Sequence, residues 1–436
     1  MNRSYRLPIL CLAVPLWCAS WPAAAVDLKS EVEPALDGIA KKVIAWRRDI
    51  HEHPELGNRE LRTSKLVADH LRKLGIEVRT GVAHTGVVGT LRGGKPGPVV
   101  ALRADMDALP VTEPEGLPFA STVKTIYNGQ ETGVMHACGH DTHVAMLMGV
   151  AEALAGIRKE LPGTVKFIFQ PAEEGSPAGE EGGAKLMVEE GVLSGPDAPS
   201  AIFGLHVLPL LAGHLYVRSG GILAAADALH ITVKGTSTHA ALPWRGVDPI
   251  TVAAQILLAL QTIPSRQVDL TAAPAVISAG SIHGGNRGNI IPDSVEIEGT
   301  IRTFDPSVRD DIHMRVRRTA TDIAESAGAS ADVRIESYAP VTYNDPALTE
   351  RMIPSLQWAA GADHFKLASP VTAAEDFSYF QKVIPGMYFF LGINRDGVGE
   401  WQSAPNHSPL FYVNEDALIT GLRALSAVAL DYLQNP

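Results

Sequence analysis

The sequence predicts an α/β fold, a mainly parallel sheet domain interrupted by an inserted ferredoxin-like (βαββαβ) unit. Three observations predict it. Apolar runs end abruptly in polar residues, as parallel strands do when they deliver side chains to one edge of a sheet. A helically spaced segment lies between the first two runs. From about residue 225 to 338 the pattern changes to strand, helix, two strands, helix, strand, the split βαβ order.

The elements follow in order. Residues 1–25 read as a secretory signal, with Arg3 and Arg6, the apolar stretch LPILCLAVPLW, and Ala23-Ala24-Ala25 as a cleavage site before Val26. The stretch is short for a membrane span and Pro8 and Pro15 interrupt it. Leu10 and Trp17, bulky residues before Cys11 and Cys18, argue against a lipoprotein. The expected location is periplasmic or secreted, with no stable membrane association after cleavage. Of the three cysteines only Cys138 then remains, so no internal disulfide can form.

PGPVVALRADMD reads as a strand running into Asp105 and Asp107. DTHVAMLMGVAEAL follows helical spacing through Val144, Leu147, Met148, Ala151 and Leu154, with Asp141 as its expected N-cap. GTVKFIFQPAEEG ends at Gln170 and delivers Glu173 and Glu174, and SAIFGLHVLP delivers His206. In the inserted unit HITVKG is a strand, and Asp248-Pro249 opens a helix. AVISAGSI and SVEIEGTIRTF are strands joined by the turn-rich HGGNRGNIIPD. A helix through Ile312, Val316 and Ile323 and the strand ADVRIES complete the unit, and VIPGMYFFLGIN resumes a buried strand. The expected domains are residues 26–224 with 339–436, and residues 225–338 between them.

The chain has 436 residues, 46 % hydrophobic and 19 % charged, enough for a large core and a second domain. Its formal charge is −11, and −13 without the first 25 residues. That balance argues against nucleic acid or an anionic membrane as partner.

Cys138 stands two residues before His140, and a thiolate with an imidazole suits a borderline-soft divalent ion. The pair alone is weak evidence. Glu173-Glu174 strengthens it, because this acidic pair closes a strongly apolar strand. Two adjacent glutamates can divide two jobs, one as fixed ligand and one as proton acceptor. His206 is a second imidazole at a strand end.

Taken together, RRDIHEHPELGNRE (47–60), LRADMDALPV (102–111), GVMHACGHDTH (133–143), FQPAEEG (169–175), GLHV (204–207), THAALP (238–243), GNIIPD (288–293), AAEDF (373–377) and NHSP (406–409) resemble one metallopeptidase family. That family contains aminoacylases, hippurate hydrolase, auxin-conjugate amidohydrolases and some carboxypeptidases. The resemblance is strongest to the hippurate hydrolase-like branch. It implies a di-metal hydrolase domain with a lid and dimerisation domain inserted, a homodimer, and two divalent ions per subunit, Zn2+ or Mn2+. It implies Cys138, His140, Glu174, His206 and His407 as ligands, Glu173 as general base, and Asp105 and Asp107 as residues orienting the ligands. It also implies that His239 reaches a neighbouring subunit's site, and that Asn289 and Arg302 hold a substrate carboxylate. Pro243-Trp244, the alanines of AAEDF and the segments 122–132 and 176–180 depart from the family pattern and leave the acyl pocket undefined.

The expected activity is hydrolysis of N-acyl-amino acids to an acid and a free amino acid. A carboxypeptidase or dipeptidase acting on short peptides is the alternative. Two competing classes are a cysteine hydrolase with Cys138 as nucleophile, which chelation would spare, and a silent binding protein, which would have no need of Glu173.

Overall fold

The computed structural model describes Met1, residues 27–271 and residues 273–436. The expected signal segment lies outside the described residues, apart from Met1. Eight strands form the larger sheet in the order Glu77–Val82, Gly86–Arg92, Pro162–Gln170, Lys95–Asp105, Ala201–Leu208, Gly386–Gly392, Leu215–Val217, Phe365–Leu367. The four central strands, from Pro162–Gln170 to Gly386–Gly392, pair in parallel. The strand period of two divides their side chains between two cores. Val100, Leu102, Phe167, Phe169, Phe203 and Leu205 face one core, and Ala101, Ile168 and Ile202 face the other.

The first core is closed by the helices Leu28–Glu52, His140–Gly156, Pro346–Ala360 and Leu418–Gln434. His140–Gly156 is buried on every side along its first twelve residues, which explains its apolar composition all round. Asp141 is not its N-cap. Gly139 occupies that position at φ 94, and Asp141 falls in the first turn. A side chain at residue 139 would place its Cβ 2.4 Å from Val207 Cγ2. Asp141 serves another purpose, with Oδ2 lying 2.7 Å from Arg47 Nε and 2.8 Å from His51 Nδ1.

The second sheet is antiparallel, in the order Ala275–Gly284, Ser294–Thr303, Ala225–Lys234, Ser330–Ala339. Helices Pro249–Arg266 and Pro306–Ser326 cover it, and their Val252, Ile256, Ile312 and Val316 share a core with Leu229, Ile231 and Ile297. Asp248 and Asp305 cap these helices, each followed by proline. The sequence shows HGGNRGNIIPD only as a turn-rich connection, with no strand around His239. Instead, Thr238–His239 pairs with Ile290–Ile291 as a short antiparallel ladder. Segment 122–132 contributes to a hairpin, Lys124–Tyr127 with Gln130–Gly133, whose Asn128-Gly129 turn has both residues at positive φ. Among the described residues no helix is long and apolar enough to cross a membrane.

One polar cluster ties the second sheet to its helix. Buried Asp227 accepts hydrogen bonds from Arg309 Nε and Nη2 at 3.0 and 2.6 Å, and lies 2.8 Å from His313 Nε2. Burial opposes the Asp227 charge, but the bonds from His313 and Arg309 outweigh it and hold the carboxyl below its ordinary value. A depressed value contributes stability that is fully present above the unfolded-state pKa, about 3.9, and lost as pH falls through the folded one. Asp227→Asn is expected to cost about 1–3 kcal/mol at neutral pH. In urea unfolding, its gap from wild type should narrow as pH drops below about 4.

Candidate metal centre

The parallel strands end side by side, and their last residues build the site. Strand Lys95–Asp105 ends in Asp105, with Asp107 two residues on. Its neighbour Pro162–Gln170 continues through Ala172, at φ 50, into Glu173 and Glu174. His206 comes from Ala201–Leu208, and Cys138 and His140 from the start of the buried helix. His407 arrives from the far end of the chain at φ 69, its N–H donated to Ala137 O at 2.8 Å.

Ligand atoms of Cys138, His140 and His206 lie within 4.8 Å of one another, and so do those of Cys138, Glu174 and His407. The two groups share Cys138, and a third joins His140, Glu173 and Glu174. Cys138 Sγ is 3.3 Å from His206 Nε2, and His407 Nε2 is 3.0 Å from Glu174 Oε1. The carbonyls orient the rings. His140 Nδ1 donates to Asp107 O and His206 Nδ1 to Val207 O, each at 2.8 Å, so each Nε2 is the nitrogen left facing the cluster.

These residues fit divalent ions. Among the described residues, His140 Nε2, Asp107 Oδ1 and Glu174 Oε1 are buried without a hydrogen-bond partner, although Asp107 Oδ1 is 3.3 Å from His140 Nδ1 and Glu174 Oε1 is 3.0 Å from His407 Nε2. Thiolate, imidazole and carboxylate together are a donor set for zinc or manganese.

His143 also lies near, within a group formed with Asp105 and His140. Both of its nitrogens are already used, however. Nε2 accepts from Val207 N–H at 3.0 Å, so Nδ1 donates to Asp105 Oδ1 at 2.5 Å. It is a strut for Asp105.

Behind the cluster, Arg103 is 1 % exposed and donates to Gln170, Asp105, Glu375 and Asp376. Glu375 and Asp376 form a further acidic group with Glu173. Burial, then Glu375 and Glu174, pushes the Glu173 carboxyl well above its usual range. Burial and the two glutamates push the Cys138 thiol up as well. Burial opposes charge on His140, but Asp105 and Asp107 outweigh it and raise its pKa to about 10. In Glu174 burial is overcome by His407 and His140, and its carboxyl sits below the usual value.

Three residues expected at the site lie on the second sheet's unit. His239 is exposed, and its Nδ1 accepts from Ala241 N–H at 3.0 Å. Asn289 O accepts from Ala240 N–H at 3.0 Å, so the short ladder brings His239 and Asn289 together. Arg302 is half-buried on strand Ser294–Thr303, with Nη1 donating to Ile301 O. Among the described residues His239 belongs to none of the donor groups around Cys138. Sequence reasoning did not single out Arg103 or His143, and it read Glu375 and Asp376 only as part of a motif.

A cluster of such ligands beside a buried carboxylate, at the carboxyl edge of a parallel sheet, defines a metal-dependent hydrolase that acts on amides. The chain belongs to peptidase family M20/M25/M40, whose family model matches residues 101–431. It is 44 % identical to thermostable carboxypeptidase 2 of Saccharolobus solfataricus, over 93 % of this chain and 99 % of that one. It is 39 % identical to IAA-amino acid hydrolase ILR1-like 2 of Arabidopsis thaliana, over 100 % and 95 %. A solved structure of the Bacillus subtilis YXEP protein, described as a dinuclear metal-binding peptidase of the M20 family, is 36 % identical. It superposes with a TM-score of 0.74 over 92 % of this chain and all of that one.

Chelation should remove bound metal and activity together. Cys138→Ser should retain less metal by elemental analysis while its circular dichroism stays that of wild type. Full activity in protein shown to be metal-free would instead leave Cys138 as a nucleophile.

Proposed function

We propose that this protein hydrolyses the amide bond of N-acyl-amino acids, releasing a carboxylic acid and a free amino acid. One observation carries the reading. Glu173, Glu174, Cys138, His206 and His407 line a cleft together with the apolar residues Leu208, Leu223, Val371, Phe390 and Trp401. Reacting groups thus meet an uncharged substrate end. The relative named an amino-acid hydrolase supports this assignment.

Cys138, His140, Glu174, His206 and His407 would hold two divalent ions, Zn2+ or Mn2+, with Asp107 orienting His140 through its carbonyl and the Glu174 N–H through its carboxylate, and Asp105 standing 3.9 Å from His140 Nε2. Bound ions supply Lewis acidity to the amide carbonyl and to the attacking water. Glu173 takes a proton from that water as its oxygen adds to the carbonyl carbon. It returns the proton to the amide nitrogen as the C–N bond breaks. In the same proposal the protein is exported, on the strength of its N-terminal segment. It acts as a homodimer in which the partner subunit's His239 stabilises the developing oxyanion. Asn289 and Arg302 bind the substrate carboxylate, Arg302 through its planar fork.

The second reading, a carboxypeptidase or dipeptidase, is favoured by the 44 % identical carboxypeptidase. Product analysis on N-acetyl, N-benzoyl and dipeptide substrates decides between the two.

The adjacent glutamates should separate cleanly. Glu173→Gln keeps its shape but accepts no proton, so turnover should fall about 10²–10⁴-fold at normal metal content. Glu174→Gln should lose metal as well as rate. The reverse pattern would exchange the two assignments.

The trans role of His239 has its own test. A Glu173→Ala subunit still donates His239, and a His239→Ala subunit still carries Glu173. Co-expression should give mixed dimers with one whole site each, recovering about a quarter of wild-type activity under random pairing. Mixed dimers confirmed by mass with no recovery would remove His239 from the partner's site.

A further inference from the structure

Two clefts meet at Trp401. The inner one, about 290 Å³, is lined by the reacting groups. The outer one, about 490 Å³, is lined by Tyr216, Lys366 and Glu400 among others, and shares Val371, Phe390 and Trp401 with the inner. Phe390 is buried and Val371 half-buried, so both are fixed wall. Trp401 borders both clefts and, at 52 % exposed, is the least buried of the three shared residues.

Its backbone is held there against preference. Trp401 lies at φ 60, a left-handed conformation uncommon for a bulky residue. Its N–H donates to Pro209 O at 2.8 Å. The preceding Glu400 accepts from Lys366 Nζ at 2.7 Å and Tyr216 OH at 2.9 Å.

The lining decides which end of a substrate enters. Among the described residues the inner cleft is lined by Leu208, Leu223, Val371, Phe390 and Trp401 and by no lysine or arginine, so its apolar walls suit the acyl end, and no fixed cation of the protein is there to hold the amino acid's carboxylate. Lys366 in the outer cleft is already paired with Glu400, so a continuation into it is uncharged.

We propose that Trp401 sets the acyl specificity. It confines the acyl group to the inner cleft, admitting compact apolar groups such as acetyl or benzoyl and excluding linear chains that would continue into the outer cleft. The choice of acyl end rests on the amide-hydrolase reading above.

The test compares wild type, Trp401→Ala and Trp401→Phe on N-acetyl, N-hexanoyl and N-decanoyl forms of one amino acid. Burying each further methylene is worth about fourfold. Trp401→Ala should therefore raise the decanoyl-to-acetyl ratio of kcat/KM at least tenfold, while Trp401→Phe stays near the wild-type ratio. A parallel calorimetric titration with acetate, hexanoate and decanoate should show the same change in relative affinity. Hydrolysis with both ratios unmoved by Trp401→Ala overturns the proposal and leaves the amide-hydrolase reading standing. No hydrolysis of any substrate, with decanoate binding still strengthened by Trp401→Ala, sinks that reading and supports the divided cleft. No hydrolysis with unchanged binding overturns both.

Discussion

A guanidinium with almost no exposed surface holds the site together. Burying the Arg103 charge costs several kcal/mol unless every donor is matched by an acceptor. Its partners come from separate segments. Asp105 ends its own strand, Gln170 ends the parallel neighbour, and Glu375 and Asp376 lie in the loop before Phe377. Satisfying Arg103 therefore sets the two strands to one height and folds the loop against their ends. Further bonds lock that loop. Phe377 N–H donates to Glu375 Oε1 at 2.9 Å, and Ala184 N–H to Asp376 Oδ2 at 2.7 Å. The Glu173-Glu174 turn continues from Gln170, so the placement of the reacting carboxylate depends on this one cation.

One cation does not balance what surrounds it. Asp105, Glu173, Glu375 and Asp376 crowd the same buried region, with Asp107 and Glu174 beside them. Surplus negative charge in a poorly screened interior is relieved either by protonation or by cations. The raised Glu173 carboxyl and an Asp376 pushed to about 8, by burial against the pull of Arg103, show the first route. Divalent ions at the Cys138 groups provide the second, so ion binding and site stability are coupled.

What was legible in the sequence was whatever a strand end advertises. Asp105, Glu173, Glu174 and His206 each follow an apolar run, and the reader needs only the parallel fold to bring them together. His407 has no such context and was visible only through the motif NHSP. His143 and Arg103 were not legible as functional residues. A histidine one turn into an apolar helix and an arginine within a strand look like ordinary exceptions, and their roles depend on Val207, Asp105 and Glu375 from distant segments. Asp141 misled for a related reason. It has the chemistry of an N-cap, but Arg47 and His51 hold its carboxylate, while close packing against Val207 reserves the capping position for Gly139.

Backbone strain follows the same geography. Among the non-glycine residues at positive φ are Ala172, His407 and Trp401, which respectively precede the reacting glutamate, carry a candidate ligand and wall the cleft. Such conformations cost on the order of 1–3 kcal/mol each and persist only where the surroundings over-determine them. Here each N–H is tied to an acceptor distant in sequence. Ala172 donates to buried Glu60 at 2.9 Å, His407 to Ala137 O and Trp401 to Pro209 O, both at 2.8 Å. The core supplies the stability, and these bonds direct it to the few positions where relaxed backbone would aim a functional side chain away from the site.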